Sequence, residues 1–292
     1  MTPGISTHVF LTQRLHPGLL DALARSGARK IELFAARHHF DYTDRSVVRE
    51  IADWFRSNDV TPTLHQPLSS DPHWTRHTEP SVHLLSKEKG QRIAGMDEVK
   101  RALESAEQIP IASCVIHLGG KHEEWSEAGL DHALTAIEHL KAFASPLGVK
   151  LLLENLENEV TTPEHLLEIL RIGHFDRVGV CLDLGHAHLS EPGVEATLEL
   201  LKAKVMEVHV HDNHGAGVNF AGKDEHCWPG VGEDGIDWAK VYPLLATLHP
   251  ETPGVLEIHY ELGESADVVT AKAIESFGAQ RRILDEGRER GR

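Results

Sequence analysis

Cysteine is scarce in this chain of 292 residues, and so are aromatic side chains and positive charge. Three cysteines, Cys114, Cys181 and Cys227, are too few and odd in number for a disulfide framework, so reduced thiols in a cytoplasmic setting are expected. Lys and Arg total 29 against 45 Asp and Glu, a formal charge of −16, whereas binding to a nucleic-acid backbone rests on clustered cations. Nucleic acid is therefore a disfavoured partner, although a local basic groove stays compatible with the total. Apolar runs of the ~18 residues that a membrane span needs are missing, as is a basic stretch leading into an apolar run near Met1. Neither a membrane partner nor a signal peptide is expected.

Histidine is what the chain has in excess: 22, against 8 Phe, 5 Trp and 3 Tyr. The remaining composition, 40% apolar and 25% charged, is that of an ordinary globular protein with a large core, and a homo-oligomer is compatible with it.

Short β-branched runs alternate with longer helical patterns throughout. The strand-like runs lie near residues 5–10, 29–34, 60–65, 112–118, 149–154, 177–183, 205–211 and 254–259. Between them, apolar residues at three- and four-residue spacing predict helices over 17–26, 44–57, 94–108, 130–144, 163–171, 194–202, 236–248 and 265–284. Thr162-Pro163 is a helix start, and Gly27 and Gly148 close others. Eight strand-then-helix units predict an α/β fold, a (β/α)₈ TIM barrel, with residues 1–292 as a single domain. An open doubly wound sheet usually stops at five or six strands. The two longest connections, 66–91 and 212–235, both follow strands, which in a barrel puts them on the face that carries active sites. The first, with Pro67, Pro72, Trp74 and Pro80, reads as an ordered cap over a ligand.

Acidic and imidazole side chains recur where six successive strands end. They are His65, His117, Glu154, Asp183 followed by His186, His209 followed by His211 and Asp212, and Glu257. Alternation tests whether they converge: Met206, Val208 and Val210 share one face of strand seven, and Glu207, His209 and His211 the other. Strands six and eight repeat the pattern, so the apolar faces pack on helices while the polar groups point into the barrel mouth. Any one such histidine is adequately explained by packing, and Glu154 or Asp183 by a salt bridge. Six strand ends in register, joined by Asp224 and His226 in the long loop after strand seven, point instead to a bound divalent cation that neutralises the crowded carboxylates. A donor set of carboxylate oxygen and imidazole nitrogen suits zinc, manganese, iron or cobalt better than calcium. The run from Gly230 to Gly235 fits G-x-G-x-x-G but lacks the strand immediately before it, so it reads as a turn close to a ligand rather than a dinucleotide site. Cys114 and Cys181 read as inert core thiols, and Cys227 as loop packing with ligation as the alternative.

These motifs resemble the xylose isomerase-like TIM barrel superfamily, which holds sugar and sugar-phosphate isomerases and epimerases together with endonuclease IV-like enzymes of abasic DNA. The resemblance spans essentially the whole chain and rests on KIELFAARHHFDY, TLHQP, VIHLGG, LLLEN, VCLDLGHAH, HVHDN, DEHCWPGVGEDGIDW and VLEIH. It implies one divalent ion held by Glu154, Asp183, His209 and Glu257. In the endonuclease branch it implies further zinc ligands at His65, His117, His186, Asp224 and His226. One to three ions, Zn²⁺ or Mn²⁺, are thus expected. The resemblance makes Glu154 and Glu257 the catalytic acid/base pair of an isomerase or epimerase acting on a small sugar or sugar phosphate through an enediolate stabilised by the metal. His186 and His211 are then candidates to hold the substrate, Trp74 to stack on it and Arg37 to meet a phosphate. The alternative is multinuclear zinc hydrolysis of a phosphoester, in abasic DNA or a small molecule. Against the DNA version, Gln66-Pro67-Leu68 stands where the endonucleases carry an aromatic wedge. A third reading, a degenerate sensor, is disfavoured because both acid/base carboxylates are retained.

Overall fold

The computed structural model describes residues 1–75, 78–121, 123–215, 222–232, 234–259 and 264–290, with side chains followed to residue 286. Eight parallel strands close in sequence order: β1 (Thr2–Ser6), β2 (Lys30–Phe34), β3 (Thr61–His65), β4 (Ser113–Ile116), β5 (Lys150–Glu154), β6 (Gly179–Asp183), β7 (Val205–Val210) and β8 (Pro253–Leu256). Closure comes from β1 pairing with β8, Thr2 opposite Pro253 and Ile5 opposite Leu256. The helices are α1 (Pro17–Arg25), α2 (Arg45–Ser57), α3 (Lys89–Leu103), α4 (Glu127–Ala144), α5 (Pro163–Ile172), α6 (Leu184–Leu189), α7 (Val194–Leu201), α8 (Trp238–Leu245) and α9 (Ala266–Arg290). Several start on side-chain caps: Asp44 accepts from Ser46 N, Ser126 from Gly129 N, and Thr162 from His165 N ahead of Pro163. Among the described residues, no helix is long and apolar enough to cross a membrane.

The outward strand residues, such as Ile31, Leu33, Leu64, Leu151, Leu153, Val180, Leu182, Val208 and Val210, are buried under the helices and form the main core. Inside the barrel, Val115, Leu152 and Cys181 form a small separate apolar cluster. Charged groups lie above and below it. Between β6 and β7 the register shifts at Val180 and Cys181, just before Asp183 pairs with His209.

One expectation needs correction. Strand one is not 5–10: β1 ends at Ser6, and Thr7–Phe10 form a 3₁₀ turn. Ser6 Oγ accepts from His8 N, and Thr7 Oγ1 accepts from Phe34 N at 2.9 Å, so hydroxyls take over the backbone pairing and end the extended run. The six residues of α6, which fall between the predicted elements, form a helix because the Asp183 carboxylate accepts the His186 amide at 2.7 Å.

Candidate metal centre

Glu154, Asp183, His209 and Glu257 meet at the upper ends of β5 to β8, one ligand atom from each within 4.8 Å of the others. His209 is the hub. Its Nδ1 lies 3.1 Å from Glu154 Oε1, 3.0 Å from Glu257 Oε2 and 3.7 Å from Asp183 Oδ2, and its Nε2 meets Glu32 Oε2 at 3.0 Å. All five side chains are buried. One proton on Nδ1 cannot serve three carboxylates, whereas a divalent cation can. Burial opposes ionisation of Glu154 and Glu257. The His209 imidazole overcomes it, helped by His117 at Glu154 and His226 at Glu257, and holds both carboxyls well below the usual carboxylate range.

Glu154 also faces a second group of donors. Its Oε2 lies 2.7 Å from His117 Nε2 and 3.7 Å from His65 Nε2, and those two nitrogens are 3.0 Å apart. Two imidazole lone pairs cannot sit that close without a cation or a proton between them. The third group comprises His186, His211, Asp224 and His226. Asp224 Oδ2 is 2.9 Å from His226 Nε2 and 3.4 Å from His186 Nε2, and His211 Nε2 reaches Asp183 Oδ2 at 3.0 Å.

Three of the histidines are oriented alike. Nδ1 of His65, His186 and His226 donates to the carbonyl oxygens of Gln66, Asn155 and Glu257 at 2.9, 2.9 and 2.8 Å. A carbonyl only accepts, so Nδ1 carries the proton and Nε2 is the nitrogen left able to donate to a metal. The residues therefore fit divalent ions at each of the three groups. Where a cation is lacking a proton substitutes for it. Burial works against a charged His65, yet the Glu154 contact and the Glu32 and Glu257 charges lift it to about 8; Asp224 and Glu257 lift His226 to about 9 against the same penalty.

Asp224 and His226 arrive on a two-stranded ribbon after β7, in which Asp212 and Cys227 exchange backbone hydrogen bonds at 2.8 Å. Asn213 Oδ1 accepts from Glu225 N and His226 N, at 2.6 and 3.1 Å. The fully buried Asp212 carboxylate anchors the rest of the loop. It accepts from Gly230 N at 2.8 Å, Ile236 N at 2.9 Å and Trp238 Nε1 at 2.7 Å. Gly230 and Gly232 take φ near +100°, which lets the chain wrap around this anion and accounts for the G-x-G spacing. Below, Gly185 of α6 lies so close to His211 that a Cβ there would stand 1.9 Å from the ring.

Members of all three groups, though not Asp183, His209 or His211, line a pocket of about 210 Å³, walled also by Phe34 and Leu156 and roofed by Leu68, Trp74 and Pro80 of the β3–α3 loop. Phe34 stacks on His65 and on His8, with ring centroids 4.6 and 4.8 Å apart. Trp74 is buried and tied down by its Nε1 donating to Thr78 O at 2.8 Å.

Comparison with known proteins places this architecture. The family profile described as xylose isomerase-like TIM barrel matches residues 20–279. The chain belongs to that family. It is similar to the protein named probable endonuclease 4 of Natronomonas pharaonis, 30% identical over 208 residues, which cover 66% of this chain and 72% of that one. Among solved structures it resembles a D-tagatose 3-epimerase-like protein at TM-score 0.76 and 21% identity over the full length of both chains. It also resembles the D-psicose 3-epimerase of Clostridium cellulolyticum H10 with D-tagatose at TM-score 0.75 and 15% identity, over 97% of this chain and 99% of that one.

For a xylose isomerase-like barrel the expected ligand positions converge well: all nine lie in the three groups just described. Trp74 lines the pocket. Arg37 does not. Its Nε binds Glu98 Oε1 at 2.9 Å, and Glu98 also takes Tyr42 and Arg101, so the arginine is held in an ion-pair network away from the pocket lining. His211 is fully buried, meets Asp183 through its Nε2 and is not among the residues lining the pocket. Sequence reasoning missed Glu32, Phe34 and His8. The alternation of Lys30, Glu32 and Phe34 against Ile31 and Leu33 would have exposed the first two; His8 was hidden by the misplaced strand one.

Proposed function

We propose that this barrel is a divalent-metal-dependent epimerase or isomerase of a small sugar or sugar phosphate, working through Glu154 and Glu257. The carrying observation is that these two glutamates, both held ionised, flank one imidazole nitrogen at the floor of a small roofed pocket. Glu154, Asp183, His209 and Glu257 would hold the central ion, zinc or manganese. His65 and His117, and His186, Asp224 and His226, would complete sites for up to two more. A bound ion supplies the positive charge that polarises the substrate's carbonyl and neighbouring hydroxyl oxygens. An ionised glutamate then takes the proton from the carbon beside the carbonyl, and its partner returns one from the other side, which inverts that carbon. Glu32 and His211 orient His209 and Asp183, His186 is placed to hold a substrate hydroxyl, and Trp74 offers a flat apolar face to the sugar ring. A roof built from the β3–α3 loop suits a monosaccharide and obstructs a duplex. The reduced cysteines fit a cytoplasmic enzyme.

A second reading, phosphoester hydrolysis, is favoured by one observation: Glu154 bridges two donor groups and a third adjoins them, the arrangement a multinuclear zinc centre needs. The relative named endonuclease 4 supports it. The test is to load the enzyme with zinc or manganese and incubate it in deuterium oxide with free and phosphorylated ketoses. The epimerase reading expects deuterium at the carbon beside the carbonyl, lost in Glu154→Gln and Glu257→Gln. No exchange with any ketose, together with incision of an abasic duplex at micromolar enzyme, would replace it with the hydrolase reading.

A further inference from the structure

The ribbon that delivers Asp224 and His226 has a second face. Asp224 and His226 line the pocket, whereas Glu225 and Cys227 are not among its lining residues, and His226 takes a left-handed φ of 50° between them. His214, on the opposing arm, joins Glu225 and Cys227: its backbone N–H and its Nδ1 both meet Glu225 Oε2, at 2.8 and 3.0 Å. One ligand atom from each of His214, Glu225 and Cys227 lies within 4.8 Å of the others, and all three side chains are half-buried. None of them belongs to the three groups in the barrel mouth.

We infer that His214, Glu225 and Cys227 form a separate peripheral site for a zinc-like cation. An imidazole nitrogen, a carboxylate oxygen and a thiolate are the three donor types that zinc accepts, and water can fill the fourth tetrahedral position. The thiolate sets this site apart in chemistry from the nitrogen and oxygen donors above, and biases it toward softer ions than manganese. Binding displaces the Cys227 thiol proton to solvent, with no change in oxidation state. The ion clips the two arms of the ribbon together, adding to Asn213, whose amide oxygen already fastens the Glu225 and His226 amides. Its role is to hold Asp224 and His226 in place. The site stands whichever reaction the barrel catalyses.

The test uses the full chain stripped of metal and titrated with Co²⁺ as a zinc surrogate, alongside elemental analysis after zinc loading and dialysis. The expected result is a near-ultraviolet sulfur-to-cobalt charge-transfer band in the wild type. Cys227→Ser loses that band, and both Cys227→Ser and His214→Ala retain one zinc fewer per chain. Absence of the band in the wild type, or its persistence in Cys227→Ser with unchanged metal content, overturns the site; persistence would assign the sulfur to Cys181 beneath His209. A measurement on the unmutated chain guards against misfolded variants. Cys114 and Cys181 are buried whereas Cys227 is partly open, so zinc should suppress iodoacetamide labelling of the Cys227 peptide. Equal labelling with and without zinc contradicts the proposal.

Discussion

Two layers of charge occupy the inside of this barrel, and they behave oppositely. In the upper layer Glu154 and Glu257 are buried yet stay ionised, because His209, His117 and His226 surround them. In the lower layer Glu207, two residues before His209 on the same face of β7, is equally buried but meets only hydroxyls. Ser113 Oγ donates at 3.0 Å and Thr63 Oγ1 at 3.3 Å. Burial and the neighbouring Glu32 charge push its pKa up to about 7, against the weaker pull of His209 and the two hydroxyls. It faces a cavity of about 380 Å³ at the bottom of the barrel, rimmed by Lys30, Lys150, His249 and Glu251. The larger cavity is therefore not where the chemistry concentrates. Burial alone keeps a carboxylic acid neutral, and an ionised, reactive carboxylate at the same depth has to be built from imidazoles or a metal.

The strongest way to break this contrast is to neutralise the upper layer. Glu154→Gln or Glu257→Gln should lower turnover by about 10²–10⁴-fold, measured as deuterium exchange on the active ketose, with central metal still detectable by elemental analysis. Glu32→Gln comes next. Removing the charge that orients His209 Nε2 should weaken zinc binding by about 10–100-fold in a competition assay with a chromophoric chelator, while Glu154 and Glu257 stay in place.

Acidification probes the same layer more gently. In the metal-free chain His65, at about 8, and His226, at about 9, carry protons at neutral pH, and a cation has to expel them. Against the penalty of burial, neighbouring acidic groups hold His186 and His209 well above the usual imidazole range and add further protons to expel, so zinc affinity should rise with pH through neutrality. Below those values it should fall by about tenfold per pH unit for each proton displaced, and calorimetry in buffers of different ionisation enthalpy should register proton release at pH 7.

The lower layer should respond least. Glu207→Gln is expected to change turnover by no more than about threefold, and its signature is in stability. A carboxyl whose folded pKa lies above its unfolded one costs the folded state stability as pH rises from about 4.5 to about 7 and no more beyond. The gap between Glu207→Gln and wild type in urea melts of the metal-free chains should thus widen across that window in favour of the variant. A flat gap would show that Glu207 is no harder to ionise in the folded chain.

Much of this was legible in the residues themselves. Period-two alternation in VMEVHV and GVCLD was enough to aim His209 and Asp183 inward, since an apolar outer face leaves only one way to seat the strand. Glu32 was just as legible in KIELF but went unread, because a strand-end search looks past the middle of a strand. His8 failed for another reason: the hydroxyls of Ser6 and Thr7 end β1 early, and strand propensity does not see a side chain competing for backbone partners. Arg37 was offered to a phosphate on position alone, with a salt bridge as the alternative, and the salt bridge is what forms. Its partner Glu98 lies 61 residues away on α3 and becomes its neighbour only when the barrel closes. Asp212 illustrates the same limit, as its donors are spread to Trp238 and converge only through the turn at Gly230 and Gly232.

Anomalous scattering from a crystal grown with zinc or manganese tests most directly whether the upper layer is a metal centre. The predicted result is a peak at that metal's edge enclosed by Glu154, Asp183, His209 and Glu257, about 2.0–2.2 Å from each ligand atom. A map without a peak there, under conditions that saturate binding in solution, would contradict it and leave the four residues as a buried hydrogen-bond cluster held together by protons.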